Sequence, residues 1–317
     1  MTNTRDNLQV VSFYRFISIN NKEEFKKTLE SFLKKKIMRG TILISDEGIN
    51  GSISGTEKDL NRCFKFLKNY LGIKNINPKI NKTDYLPFNK LKIRLKKEIV
   101  SLGIGEINVE KFRGKFVKPE NWNEIINDDN IKLVDVRNTY EIEVGKFKNS
   151  LNPKTNNFRE FPYSLKKMQL KRNDKIALYC TGGIRCEKAS SFLKSKGYKN
   201  ILQLKGGILK YLEYIEKNKK KSFWNGECFV FDERVTINKR LQKGGYSQCY
   251  GCRRPIQKKD MNSIYYKKGI HCPNCYNSRT KDQIKSSEDR QKQIDYAIEN
   301  NLENTFIKVN NLTIYKS

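Results

Sequence analysis

The sequence predicts an α/β multidomain protein on three observations. Residues 1–98 give the order βαββαβ, strands alternate with helices over 118–218, and two C-x2-C pairs lie in a basic stretch over 219–317. The 317 residues are about twice the ~150 typical of one domain, so several cores are expected rather than one.

Residues 10–19 alternate, with Val11, Phe13, Ile17 and Ile19 on one face and Ser12, Tyr14 and Ser18 on the other, which predicts a strand. Phe25, Leu29, Phe32 and Leu33 recur at helical spacing. Gly40 and the apolar run 41–44 follow as a strand, Asp46-Glu47-Gly48 turns the chain into a strand over 49–54, and Leu60, Phe64, Leu67 and Leu71 mark a second helix. Leu91, Ile93 and Leu95 alternate with Lys92, Arg94 and Lys96, a last strand with one apolar and one basic face. This order predicts a ferredoxin-like α+β sandwich over 1–98. Its basic face reads either as a lysine-guarded sheet edge or as an RNA-binding surface, since a common RNA-recognition module shares the topology; that module's paired aromatics are not recognisable here.

Residues 99–117 read as a linker. Beyond Pro119, 122–126 is helical, 132–136 is an apolar strand running into Asp135-Val136-Arg137, and 146–160 is loop-like. A buried strand over 176–179 ends at Cys180. The stretch 187–196 is a helix with Ala189, Phe192 and Leu193 inward, 201–204 is a strand, Gly206-Gly207 turns, and 208–215 is helical. Strands alternating with helices predict a parallel α/β domain over 118–218. Lysine-rich 217–221 reads as a linker into 219–317, which holds a strand over 227–231, the cysteine pairs, a helix over 288–300 and an apolar stretch, 306–315, able to pack back.

Lys plus Arg total 64 against 34 acids, a net charge of +30 that makes a polyanion such as nucleic acid the leading partner class. The excess is mostly lysine in a chain rich in Asn and Ile, so coding bias from an AT-rich genome is the alternative. No run approaches the ~18 apolar residues of a membrane span, and Arg5, Asp6 and Asn7 stand where a secretory signal needs an apolar core. A cytoplasmic protein without membrane contact is expected. His271 is the single histidine, which removes two-histidine metal sites, and no nucleotide or flavin motif is visible: there is no phosphate loop, and Gly103-Ile-Gly105 lacks the third glycine of a dinucleotide fingerprint.

Eight cysteines in such a chain point to metal ligands, nucleophiles or core fillers rather than disulfides. Cys180-Thr181-Gly182-Gly183-Ile184-Arg185-Cys186 is the most informative segment. A cysteine at a strand's carboxyl end, before a glycine turn and a helix, faces converging N–H groups and a positive helix end, and Arg185 adds fixed charge. Thr181, Gly182, Gly183 and Ile184 are thus the expected anion-binding loop. Such surroundings favour a Cys180 thiolate or persulfide; the alternative is a buried structural cysteine beside an ordinary turn.

The loop, with Asp135-Val136-Arg137 before it and Gly206-Gly207-Ile208 after it, resembles a rhodanese domain. Four residues between Cys180 and Arg185, rather than the five of cysteine phosphatases, fit a sulfur-centred substrate. Taken with Ile44-Ser45-Asp46-Glu47-Gly48-Ile49-Asn50-Gly51 and Gly226-Glu227-Cys228-Phe229-Val230-Phe231-Asp232, the chain resembles the bacterial rhodanese-type tRNA uridine hydroxylases over nearly its whole length. That resemblance implies tRNA as partner and oxygen-dependent conversion of wobble uridine 34 to 5-hydroxyuridine, with molecular oxygen as co-substrate and Cys180 as the essential residue. Cys186 reads either as a resolving thiol or as a residue of the next helix. Asp135 and Arg137 read as a supporting ion pair more readily than as catalysts.

Cys249-x2-Cys252 and Cys272-x2-Cys275 are separated by nineteen residues, the spacing of a four-cysteine structural zinc site; a redox iron and metal-free thiols are the alternatives. Arg253 and Arg254, beside the first pair, are candidate RNA contacts together with Lys92, Arg94 and Lys96. Three functions compete: a tRNA-modifying oxidoreductase acting on an extruded base, a sulfurtransferase passing persulfide sulfur from Cys180 to tRNA or a carrier protein, and a non-catalytic zinc-containing RNA binder. The two enzymatic readings call for an electron or sulfur donor protein.

Overall fold

The N-terminal sheet forms where short apolar runs meet turn residues in the chain. The computed structural model describes residues 7–76, 78–105 and 107–300, so the 306–315 stretch lies outside the described residues. The first elements are β1 (Leu8–Phe16), α1 (Lys22–Leu33), β2 (Met38–Ser45), β3 (Gly48–Thr56), α2 (Glu57–Leu71), β4 (Lys79–Lys82) and β5 (Leu91–Leu95). The sheet order is β4-β1-β3-β2-β5, with only the β2–β5 pair parallel.

Phe25, Leu29 and Leu33 of α1 and Leu60, Phe64 and Leu67 of α2 bury one face of this sheet against Val11, Ile42, Ile44 and Ile53. Asn21 and Thr56 start the helices by accepting the amides of Glu24 and Asp59. The ferredoxin-like sandwich is therefore present, with one correction. Its fourth strand is β4, beside β1, whereas the 91–95 strand is a fifth, added in parallel to β2 at the opposite edge.

The central domain runs through α3 (Val109–Phe112), β6 (Lys115–Val117), α4 (Trp122–Asn127), β7 (Ile131–Asp135), α5 (Thr139–Ile142), β8 (Gly145–Phe147), α6 (Phe161–Ser164), β9 (Lys175–Tyr179), α7 (Ile184–Ser195), β10 (Asn200–Leu204) and α8 (Gly207–Asn218). Its sheet, β6-β10-β9-β7, is wholly parallel. The 99–117 stretch is folded rather than a linker. β6 is the edge strand of this sheet, the Gly114 amide donates to Ser190 Oγ (2.9 Å), and the Gln203 side chain returns a bond to the Gly114 carbonyl (2.8 Å).

The expected start of a third domain at 219 also moves. β11 (Trp224–Gly226) pairs with β8, and Trp224, Cys228, Val230 and Ile237 sit in the central core, because the Trp224 ring fills the space beside Phe147 (centroids 5.0 Å apart). Of the expected 227–231 strand only Cys228–Phe229 is formed, paired with Thr236–Ile237, and β11 precedes it. What stands apart is a small module around Cys249, Ile256, Cys272 and Cys275, followed by the helix Lys281–Glu299. Among the described residues no helix is long and apolar enough to cross a membrane.

Candidate functional site

Cys180 ends β9 inside the parallel sheet, and the chain must turn at once to start α7. Gly183 makes the turn with φ of +98°, where a side chain would also press on the Tyr14 hydroxyl. Gly207 (φ +69°) packs beneath the loop, where a Cβ would come within 2.5 Å of the Cys180 carbonyl oxygen. The resulting loop aims the Gly183 amide at Cys180 Sγ (3.1 Å).

Burial pushes the Cys180 thiol up, but the Cys186 thiol and amide, the Arg185 guanidinium and the Gly183 amide outweigh it and bring the thiol down to about 6. Cys186, in the first turn of α7, is driven well above the ordinary thiol range by burial and by its bond to Cys180, so it stays protonated and acts as a donor to the thiolate.

Arg185 is held by a residue that sequence reasoning missed. Glu141 of α5 accepts both of its terminal nitrogens (2.6 and 2.8 Å) while wholly buried. Burial raises the Glu141 carboxyl, yet Arg185, then Arg137 and the Asn138 amide, bring it below the usual carboxylate range. Glu141 also caps α5 by accepting the Asn138 amide (3.1 Å), and the N-x-x-E spacing was the available signal. Asp135 and Arg137 form a fully buried pair (2.6 Å) whose guanidinium also donates to the carbonyls of Glu141 and Gly145, tying β7 to the α5–β8 turn. They reach the site through Glu141 and through Tyr179, which precedes Cys180.

The loop opens into a cavity of about 490 Å³, within the ~300–1,000 Å³ usual for ligand sites. Its walls come from three distant parts of the chain. Cys180, Thr181, Gly182, Ile184 and Arg185 supply one; Ser12, Tyr14, Thr41, Asn50 and Ser52, on the helix-free face of the N-terminal sheet, supply the second; Val230, Phe231, Asp232 and Arg234 supply the third. Arg234 is fixed by Asp232 (2.7 Å), and Phe231, 60% exposed, carries the Arg185 guanidinium 5.8 Å from its ring centre.

The first two walls are clamped by Lys188 of α7. Its buried ammonium binds Glu47 (2.7 Å) of the β2–β3 turn, Glu98 and the Val100 carbonyl. A second tie joins the Tyr14 hydroxyl to Glu187 (2.6 Å). Lys79 of β4 also reaches the loop: its ammonium, 4.8 Å from the Tyr14 ring centre, is lowered to about 8 by burial, opposed by Cys180 and Glu187. Tyr14, Lys79 and Arg234 carry no site role in the sequence, and Asn50 and Phe231 stand there only within the segments of the resemblance, because the cavity joins positions far apart in the chain.

Lys92 and Arg94 on β5, and Lys96 just past its end, are exposed. Lys92 and Arg94 are in register with Thr41 and Leu43, which line the cavity, so this basic row continues the cavity-bearing face of the sheet. Arg253 is exposed; Arg254 is half-buried and donates to Asn156 of the central domain (3.3 Å), so the structure does not bring the two to the cavity.

The four sulfurs of Cys249, Cys252, Cys272 and Cys275 lie within 4.8 Å of one another. Their contacts of 3.8–3.9 Å match the ~3.8 Å edge of a tetrahedron built on Zn–S bonds of about 2.3 Å. Four thiols at these separations can bind a metal ion.

Residues 8–99 match the UPF0176 acylphosphatase-like domain and residues 118–214 the rhodanese-like domain. Similar solved structures include a rhodanese-related protein from Thermoplasma volcanium, 29% identical over 32% of this chain and 92% of that chain, TM-score 0.27. A rhodanese-like domain protein from Staphylococcus aureus is 21% identical over 31% of this chain and 90% of its own, TM-score 0.27. The rhodanese-like domain of an Anabaena protein is 16% identical over 35% and 77%, TM-score 0.29. The pairing of the two domains is consistent with the UPF0176 family, and the rhodanese-like domain supports a sulfurtransferase or a related cysteine-loop enzyme.

Proposed function

We propose that the protein is a cytoplasmic tRNA-modifying oxidoreductase that hydroxylates wobble uridine 34 at C5, with Cys180 as nucleophile. One observation carries this reading. The three segments that resemble the tRNA uridine hydroxylases are far apart in sequence, yet each contributes to the cavity above Cys180: Asn50 and Gly51 from the first, Cys180 to Arg185 from the second, and Val230 to Asp232 from the third.

In this reading an extruded uracil enters the cavity, with exposed Phe231 as a stacking surface and Asn50, Asn81 and Ser52 as polar partners for its edge. The Cys180 thiolate adds to C6, and the C5–C6 electron pair moves toward C5 and O4. Dioxygen oxidises C5; one oxygen atom stays as the hydroxyl, and the other leaves as water with two electrons and two protons from a donor of the thiol class. Loss of the C5 proton then breaks the C6–S bond and returns the thiolate. Arg185 and the Gly183 and Cys186 amides stabilise that sulfur as it leaves.

The same loop can carry a persulfide, which supports sulfurtransfer to tRNA or a carrier protein as the second reading. Mass analysis of tRNA nucleosides from cells lacking the protein separates the two. Loss of 5-hydroxyuridine supports hydroxylation, loss of thiouridine supports sulfurtransfer, and an unchanged nucleoside profile contradicts both.

Zinc suits the four-thiolate cluster: d¹⁰ zinc(II) accepts tetrahedral thiolates, and the small apolar content of this module makes such a staple valuable. Elemental analysis of protein purified without chelator is expected to give about one zinc per chain, lost in Cys252→Ser. Absence of metal contradicts the site, and iron with a visible charge-transfer band replaces the structural role with a redox one.

The basic row on β5 is expected to hold tRNA phosphates near the cavity. Changing Lys92, Arg94 and Lys96 to Ala should weaken tRNA binding and flatten its salt dependence by about 0.7–0.9 per lost contact. Unchanged affinity and slope make the row an ordinary solvated edge. Arg253 and Arg254 are tested separately, and the greater loss is expected at exposed Arg253.

A further inference from the structure

A second cleft lies against the Cys180 cavity, separated from it by a wall one side chain thick, since Tyr14 and Lys79 line both spaces. Its volume is about 610 Å³. Five cations face it, Arg15, Lys79, Arg113, Lys205 and Lys210, against one acid, Glu187. That acid is already engaged: Tyr14 donates to it at 2.6 Å and Arg113 approaches to 3.8 Å. Lys210 pairs outside with Glu213 at 2.7 Å.

The other three cations are left over. Among the described residues the side chains of Arg15, Lys79 and Lys205 have no hydrogen-bond acceptor or ion-pair partner, and Arg15 Nε is buried without one. Lys79 is only 6% exposed, and although the Tyr14 ring and the nearby Cys180 and Glu187 favour its charge, no anion is bonded to its ammonium directly. A Cβ built on Gly182 would lie 3.9 Å from its Nζ, so this cation stands at the junction between the cleft and the cysteine loop. A planar guanidinium and two point charges around an open space are the donor set for a phosphoryl oxygen cluster.

We propose that this cleft binds the phosphodiester of a single-stranded RNA immediately next to the nucleotide whose base occupies the Cys180 cavity. The proposal rests on the RNA-modifying reading above and adds to it a place and a polarity: base on one side of Tyr14 and Lys79, backbone phosphate on the other. The cleft lies on the β1 and β4 side of the N-terminal sheet, whereas the Lys92 row lies at the β5 edge, so the strand crosses the sheet face between two basic banks.

The test is binding of a fluorescently labelled RNA stem-loop with uridine in its single-stranded loop, measured by anisotropy across a NaCl series for the full-length protein and its Arg15→Gln/Lys205→Gln variant. The double variant is expected to bind about tenfold or more weakly and to lose about 1.4 from the log–log salt slope, two single-strand contacts at ~0.7 each. Its thermal unfolding should match the wild type; if it does not fold, Lys205→Gln alone, on an exposed side chain, is expected to remove about 0.7.

Wild-type affinity and slope in a folded variant overturn the cleft while leaving the enzymatic reading intact. RNA binding that is absent even in the wild type at low salt overturns both. Inorganic phosphate alone supplies the remaining arm. If it binds the wild type but not the variant while RNA affinity is equal in the two, the cleft is a free-anion site and the proposal fails.

Discussion

Cys180→Ser is expected to abolish uridine modification, lowering the rate at least ~10³-fold, while leaving the fold and tRNA affinity nearly unchanged. With its thiol brought down to about 6, Cys180 is about nine-tenths ionised at pH 7, whereas a serine hydroxyl in the same loop stays neutral and is a poor nucleophile toward a pyrimidine ring. The sign of the pH dependence follows. Alkylation of Cys180 by iodoacetamide should be fast above pH 6 and fall as pH drops through that value, because only the thiolate reacts. Cys63 provides the contrast: it lies buried on α2, burial pushes it up to about 12, and Cys63→Ser should leave the Cys180 profile unaltered. A folded Cys180→Ser protein with full activity would return the loop to a structural turn.

Glu141→Gln should strongly destabilise the central domain. Arg185 is almost wholly buried and its only directly bonded counter-charge is Glu141, through two short bonds, so neutralising Glu141 leaves a buried cation without its bonded partner and costs about 3 kcal/mol. For a domain of this size that lowers the unfolding midpoint by at least ~10 °C. The double variant Glu141→Gln/Arg185→Gln removes the charge altogether and should be more stable than Glu141→Gln alone, which a merely bulky effect at position 141 does not predict. Because the Glu141 carboxyl lies below the ordinary carboxylate range when folded, its contribution is present above that range and is lost as pH falls through the depressed value. Equal stability of Glu141→Gln and wild type at neutral pH contradicts this role for the pair.

Much of this architecture is legible in the sequence where local pattern and burial agree. The 176–179 strand, the glycine turn and the helix after it follow from apolar runs and turn residues alone, and the two C-x2-C pairs predict their own convergence. β4 was not legible because its pattern is inverted: Lys79 is buried and Ile80 is 49% exposed, since this strand faces the cysteine loop instead of the helices. The 99–117 stretch looked like a linker because β6 is three residues long and gains its order from β10. Residues 224–237 carried no sign that they complete the central core, because a tryptophan or a short apolar pair does not say which domain it fills. Tyr14 was placed on the correct side of its strand, but its bond to Glu187 joins positions 173 residues apart, beyond the reach of periodicity.

The central claim is that the Cys180 thiolate attacks a uracil held in the three-walled cavity. The most direct measurement is reaction of the full-length protein with tRNA containing 5-fluorouridine, followed by denaturing electrophoresis and peptide mass analysis. Fluorine at C5 removes the proton whose loss expels the sulfur, so the account predicts a stable covalent protein–RNA adduct mapped to Cys180 and absent in Cys180→Ser. Modification of ordinary tRNA by the wild type with no adduct on the fluorinated substrate, or an adduct on another cysteine, would contradict it.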